Sequence, residues 1–489
     1  MVTNNLARSY AKPDQSEITI NESPLKWCTV SLSNVISRGK RLEASVFDVE
    51  AKQARERIVK GKYGSVPLYG DNGLIKNAFY PGRFKRIYCE KQNGVGFYLP
   101  SQMTDIYPKP EKHISRLTKC NIEELRLKPK TLLLTRSGTI GTIAYVSKTI
   151  ENCVFSDDVI RVTFKEDCDL GYVYAFLKSK IGNLILQTNG YGSVITHLEP
   201  EHLKEIRIPN APFTLRKRIS DLIEQSCAMR DESNDLIDEA TKLLVEELQL
   251  LPIHEFQKID APVNIFSVKL SSLNLRLDAS SHVPIVNAIT AHLREHAAQI
   301  TTIGDNRVSK DVILPGRFAR VYVEEGNGRV LFGGKQIYEL DPSNKKYLSL
   351  SKHGSRIARE LEIEENMTLI TRSGTIGKVA LVPKHWEHWV ASEHIIRVIP
   401  ANDDIAGYIN IFLASDYGYQ LITRHTYGSV VDEIDDNHVR QIPVPLLRNQ
   451  ETQKHINDLA LNANAKRYKA YKLEQEALRI MNDEVIYAK

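Results

Sequence analysis

The 489-residue chain lacks most of the features that would assign it at a glance. No run approaches the 18 or more consecutive apolar residues that a membrane-crossing helix needs. The opening MVTNNLARSYAKPDQSE has no apolar core of the kind that directs secretion, so a cytoplasmic location is expected. Six cysteines (Cys28, Cys89, Cys120, Cys153, Cys168, Cys227) are scattered without a CxxC pair. That spacing speaks against both a disulfide frame and a structural zinc. HExxH, GxSxG, GxxxxGK[ST] and the glycine-rich dinucleotide fingerprint are all missing, and with them the usual metal, nucleophile and phosphate chemistries. No catalytic residue, metal site or cofactor is assigned to this chain. Neither sign of charge dominates: 65 Lys and Arg against 60 Asp and Glu give a net charge of +5. A polyanionic partner is permitted but not demanded, because the footprint of a DNA binder is a clustered patch rather than a total.

What the chain does contain is itself, twice. TRSGTIG occurs at 135–141 and at 371–377, PGRFKRIYCE at 81–90 answers PGRFARVYVE at 315–324, and YGSV occurs at 191–194 and at 427–430. Earlier, RLEAS at 41–45 answers RLDAS at 276–280. The offset stays within 234 to 236 from PGRF to YGSV, far longer than the repeat of a solenoid or propeller, so a whole domain is duplicated. Within each copy the apolar runs are short and β-rich, such as TLLLT, TIAYV and VIRVTF, and between them lie helical candidates such as GYVYAFLKSKIGNLILQ. The expected fold class is mixed α/β, with too little strand-helix alternation for a doubly wound sheet.

Each copy runs into a segment with no Gly or Pro, residues 213–251 and 448–487. Ile219, Leu222, Ser226, Met229, Ser233, Leu236, Ala240 and Leu243 follow a 3,4 spacing. Their counterparts are Ile456, Leu459, Ala463, Lys466, Ala470, Leu473, Ala477 and Ile480, with Lys466 the one misfit. This is the seam of a coiled coil. One column is small throughout (Ser226, Ser233, Ala240; Ala463, Ala470, Ala477), so the spacing predicts two long helices packed antiparallel, related by a pseudo-two-fold axis. The competing arrangement packs each helix on its own globular copy.

The turn TRSGTIG places Arg136, Ser137 and Thr139 (Arg372, Ser373 and Thr375 in the second copy) at a rim beside a glycine able to take positive φ. A guanidinium, hydroxyls and backbone N–H groups suit phosphate or base-edge contacts. The alternative is a tight hairpin whose arginine pairs with a carboxylate of its own domain. Tyr191 and Ser193 (Tyr427 and Ser429) in YGSV, and Arg83 and Arg86 (Arg317 and Arg320) around PGRF, extend the candidate DNA-binding set. Gln102 and Gln336 could read adenine through a bidentate pair.

These motifs, in order and twice, resemble those of the specificity (S) subunit of type I restriction-modification systems. Repeats of that family open near an RLDA-like stretch, carry an SRSGTIG-like turn and enter their helix through a signature like IPLPPLxEQxxI. Here that signature reads IPNAPFTLRKRI and IPVPLLRNQETQKHI, with Gln453 and Ile456 keeping the final QxxI and Arg216 standing where the first copy would have glutamine. The resemblance implies target recognition domains at 23–212 and 265–447, after an N-terminal segment 1–22. It further implies spacer helices at 213–251 and 448–489 and a linker at 252–264. Each domain would read one half of a bipartite double-stranded DNA target in phage defence. The helices would dock two methyltransferase subunits, which carry S-adenosylmethionine, and a restriction or translocase subunit where the system has one. Two other classes stand beside this: a self-contained DNA-modifying enzyme with a duplicated recognition region, and a protein-binding scaffold.

Overall fold

The computed structural model describes residues 29–489 apart from 38–39, 41, 43, 193–195, 259–266, 274–275, 343–344 and 429–430. The segment 1–22, residues 259–264 of the linker, and Ser193 and Ser429 therefore lie outside the described residues.

The first repeat contains β1 (Ser65–Pro67), β2 (Ile75–Phe79), β3 (Tyr88–Cys89), β4 (Gly94–Tyr98), β5 (Lys112–Ser115), β6 (Leu132–Thr135), β7 (Ile143–Tyr145), β8 (Val154–Phe155), β9 (Val159–Phe164) and β10 (Arg207–Pro209). The second contains β11 (Gln299–Thr302), β12 (Ser309–Ile313), β13 (Tyr322–Val323), β14 (Gly328–Phe332), β15 (Lys346–Ser349), β16 (Thr368–Thr371), β17 (Val379–Leu381), β18 (Val390–Ala391), β19 (Ile395–Pro400) and β20 (Pro443–Leu446). Each repeat has a sheet of order β2-β9-β6-β7 (β12-β19-β16-β17), a sheet of order β3-β5-β4-β8 (β13-β15-β14-β18), and a ribbon pairing its first and last strands. Even the irregularities recur, with a register shift between Ile75 and Asn77 and another between Ser309 and Asp311.

Strand β6 shows why the apolar runs are unbroken. Leu132 and Leu134 face one core, shared with Tyr172 and Phe176, while Leu133 faces a second core with Phe155 and Val159. A strand covered on both faces has no solvent side to keep polar. The segment GYVYAFLKSKIGNLILQ is not one helix. Asp167–Lys178 ends at Ser179, whose hydroxyl caps Lys180–Gln187 by accepting from the Gly182 N–H at 3.1 Å. The break brings Gly182 against the Phe176 carbonyl, where a Cβ would sit 1.9 Å from the oxygen. Ser415 and Gly418 repeat the arrangement.

The central helix, Phe213–Glu247, and the terminal helix, Gln450–Ile480, pack on each other. Ser226 Oγ donates to the Ala470 carbonyl at 2.7 Å, Arg467 reaches Ser233, and Arg218 reaches Glu484. As residue numbers rise along one helix they fall along the other, so the two run antiparallel. All six members of the small column are buried. Lys466, the misfit, leaves the seam and pairs with Glu232. The competing arrangement holds as well, because each long helix also lies on its own repeat. Gly171 of the first repeat approaches Ser220, and Gly407 of the second approaches Asn457, so closely that a Cβ would fall 2.6 Å and 2.4 Å from their atoms. Each helix then finishes inside the other repeat. Ala240, Leu244 and Leu248 belong to the core of the second repeat, and Ala477, Ile480 and Met481 to that of the first.

The repeats also touch directly. Asp105 and Glu339, which occupy equivalent positions, form an antiparallel bridge, and Ile106 N–H donates to the Tyr338 carbonyl at 2.9 Å. Burial pushes both carboxyls up, Asp105 to about 6 and Glu339 to about 7, while Lys378 and Lys178 respectively pull them down.

Candidate nucleic-acid interface

The TRSGTIG turn is the hairpin between β6 and β7 in one repeat, and between β16 and β17 in the other. Gly138 and Gly374 take φ of 79° and 77°, the left-handed region that glycine enters without steric cost, and no atom lies within 4 Å of where their Cβ would be. The backbone there is open to a partner, and the adjoining Thr139 and Thr375 are exposed. Below this tip, Thr135 Oγ1 donates to the Thr139 carbonyl at 2.6 Å, and Thr371 does the same to Thr375. Tyr191 and Tyr427 are also exposed at this end of their repeats.

Behind the tip, in the first repeat, Arg136 is buried. Its Nη2 donates to Glu199 Oε1 at 2.6 Å, its guanidinium stacks 4.3 Å from the Tyr80 ring centroid, and Asp158 lies 3.6 Å from Nη1. Tyr191 OH donates to the same Glu199 at 3.0 Å. Burial works to raise the Glu199 carboxyl, but Tyr191, Tyr80 and Arg136 together hold it below its ordinary value. Ser137 Oγ meets His197 Nδ1 at 2.9 Å. Arg86 donates to Asp157 at 2.6 Å.

The second repeat keeps the serine-histidine and arginine-carboxylate contacts but draws them from different positions. Ser373 Oγ meets His394 Nδ1 at 2.7 Å, and Arg372 pairs with Glu433, which also accepts from Arg317 at 2.9 Å. By the offset of 236, His394 stands where the first repeat has Asp158, and Glu433 where it has His197. At these two positions acid and histidine are exchanged, while the acid nearest the turn arginine, Glu199 or Glu433, comes from the segment after YGSV in both repeats. Arg320 donates to both oxygens of Glu393 at 2.7 Å.

Both turns rest on a buried arginine with no carboxylate partner among the described residues. Arg161 donates to the carbonyls of Val159 at 2.7 Å, Phe155 at 3.1 Å and Leu125 at 3.2 Å, and Arg397 binds those of Ser392, Ile395, Leu361 and Ala391. Burial pulls them down to about 10 and about 9. Their forks clip the irregular backbone that carries Ser156, Asp157 and Asp158 in one repeat and Ser392, Glu393 and His394 in the other.

The expected site residues therefore divide. Thr139, Thr375, Tyr191, Tyr427, Arg83 and Arg317 are exposed. Arg136 and Arg372 take the second of the two roles weighed for them, pairing with carboxylates of their own repeat. Arg86 and Arg320 are half-buried in similar pairs. Gln102 does not present its amide, and Gln336, half-buried, commits its oxygen to the backbone. Gln102 accepts from Leu99 N–H at 3.0 Å and donates to the Lys109 carbonyl at 2.5 Å, and Gln336 accepts from Gly333 N–H at 3.2 Å. A side chain that satisfies strand-end backbone groups would have to abandon them to reach a base. Sequence reasoning missed Tyr80, His197, Glu199, His394 and Glu433. No spacing links residues 60 positions apart, although the divergence after YGSV, THLEP against VDEID, was a visible sign.

Residues 76–236 match the family described as type I restriction modification DNA specificity domain. Among solved structures, the chain is similar to a type I restriction-modification system S subunit from M. genitalium, with 13% identity over 84% of this chain and 92% of that one and a TM-score of 0.31. It is similar also to the HsdS subunit from Thermoanaerobacter tengcongensis, with 13% identity over 86% of this chain and 98% of that one and a TM-score of 0.27. A third structure, described as showing complex assembly and conformational transition of the type I R-M system, is 11% identical over 84% of this chain and 98% of that one, with a TM-score of 0.27. No curated protein matches the chain. No described helix is long and apolar enough to cross a membrane.

Proposed function

We infer that this chain is a DNA-specificity subunit of a type I restriction-modification system. The observation that carries this reading is the specificity-domain match over residues 76–236, together with the recurrence of the same strand orders in the second repeat. Each repeat acts as a target recognition domain for one half of a split DNA sequence. The paired helices serve as a coiled-coil spacer with approximate two-fold symmetry. The central helix, 35 residues long, spans about 50 Å at about 1.5 Å per residue. That is on the order of 15 base pairs at about 3.4 Å each. Two short half-sites about one helical turn apart fit such a ruler.

The chain itself performs no chemistry in this reading. Methyl transfer to adenine requires the base to leave the stack, and that step belongs to methyltransferase subunits docked on the helices, which bring S-adenosylmethionine. Two copies of that partner suit a two-fold spacer, and a restriction or translocase subunit completes the system where one exists. Mapping methylated adenines in the host genome with and without this chain tests the proposal. Loss of methylation at one bipartite sequence is expected. An unchanged map, or methylation and cleavage by the purified chain alone, would overturn it in favour of a scaffold or a self-contained enzyme.

A further inference from the structure

Duplication offers a filter for function inside one molecule. Most residues kept in both copies around PGRF have visible structural work. Pro81 is buried, Phe84 joins a core with Phe97 and Ile114, and Arg86 pairs with Asp157. Tyr88 and Tyr322 do not fit that pattern. Each occupies an edge strand, β3 or β13, and each is 46% exposed. Each follows an exposed aliphatic neighbour, Ile87 or Val321, both 43% exposed. An exposed apolar edge strand is a liability that proteins ordinarily remove, yet this one is present twice.

The surroundings are alike in both copies. Lys112 of β5 lies 4.9 Å from the Tyr88 ring centroid, and Lys346 of β15 lies 5.4 Å from that of Tyr322. In the ladders Tyr88 faces Ile114 and Tyr322 faces Leu348, so each lysine sits one diagonal step away on the same face. Neither lysine has an ion pair among the described residues. Positive charge gathers here as well. Residues 81–119 hold eight Lys and Arg against three Asp and Glu, and 315–353 hold seven against four, a bias the whole chain lacks.

We propose that the edge of each four-stranded sheet, formed by β3 and β5 in one repeat and by β13 and β15 in the other, lies along a groove of double-stranded DNA, with its exposed tyrosine against the groove wall and its lysine on a phosphate. The proposal rests on the function inferred above and adds to it the element that touches the duplex. An amphipathic ring can contact a thymine methyl or a sugar, and a lysine on the same face supplies the sequence-independent term.

The test starts with the full chain assembled with its methyltransferase subunits, and with duplex fragments selected by that assembly from a random 40-base-pair library. Binding of the selected duplex is then measured at several salt concentrations. Tyr88→Ser and Tyr322→Ser should each weaken binding by about tenfold, with Tyr88→Phe and Tyr322→Phe close to wild type. Lys112→Gln and Lys346→Gln should each flatten the salt slope by about one contact. Serine variants that bind within about twofold of wild type, or that lose only their methyltransferase partners, would overturn the sheet-edge proposal while the functional reading stands. Failure of the wild-type assembly to select any duplex would sink both.

Discussion

The two repeats hold the same turn with different groups behind it. In the first, Asp158 and Glu199 flank Arg136, while His197 comes from the segment after YGSV to meet Ser137. In the second, His394 comes from the loop before β19 to meet Ser373, and Glu433 takes both Arg372 and Arg317. The backbone tip is the same, and the groups standing behind it are rearranged. A common frame with exchanged polar groups is how two recognition units from one ancestor could come to read unlike half-sites.

The helix pair carries an asymmetry of the same kind, and it gives the largest expected effect. Arg230 pairs with the buried Glu474, which also accepts from Tyr174 OH at 2.8 Å. At the equivalent crossing Arg467 meets only Ser233 and Asn234, because Ile237 stands where Glu474 would be, and burial lowers that arginine to about 10. Glu474→Ala should therefore cost about 3 kcal/mol in urea unfolding, since it leaves a half-buried arginine without its carboxylate and Tyr174 OH without its acceptor. Arg467→Met should be near neutral. Equal costs would show that the two crossings are energetically alike.

Next in size are the turn arginines. Arg136→Ala leaves Glu199 with tyrosine donors alone, whereas Arg372→Ala leaves Glu433 with Arg317. The first should cost about 2 kcal/mol and the second about half that, because a half-buried carboxylate that loses its only cation keeps part of its desolvation penalty. Duplexes with one half-site scrambled should show each variant failing at its own half only. A loss shared by both halves would end the idea of independent readers.

A gentler exchange sharpens the comparison. His394→Asp combined with Glu433→His gives the second repeat the acid and histidine positions of the first. Methylation mapping should then show altered base preference in one half-site and none in the other.

The smallest effect concerns the junction, where Asp105 and Glu339 are held near 6 and 7. A folded state that binds these protons more tightly than the unfolded chain gains stability that is full below about pH 4 and is lost as pH rises to about 7. Urea midpoints should fall modestly between pH 5 and 7, and Asp105→Asn with Glu339→Gln should flatten that slope. Glu111, Asp341, Lys178 and Lys378 also act on these carboxyls, so all four are kept in both proteins compared.

The first repeat's Arg216 shows how a departure from pattern becomes intelligible only in three dimensions. Gln453 accepts from Leu447 N–H at 2.9 Å in the second copy, whereas Arg216 pairs with the buried Asp169 at 2.6 Å. The position equivalent to Asp169 is Ile405. Arginine and aspartate changed together, and no reading along a line would join them.

The sequence alone determined the duplication, the strands, the glycine turn and the small seam between the long helices. The duplication is legible by comparing the chain with itself, and the rest depends on residues close together along the chain: short apolar runs, seven-residue spacing, or a backbone torsion that only glycine takes freely. The tertiary structure decided which side chains are spent inside the fold, among them Arg136, Arg372 and Gln102, and it sent the end of each long helix into the opposite core. Those outcomes turn on burial and on pairing between distant segments. A polar group removed from water must find whatever partner the fold brings to it, and one-dimensional periodicity carries no record of that partner.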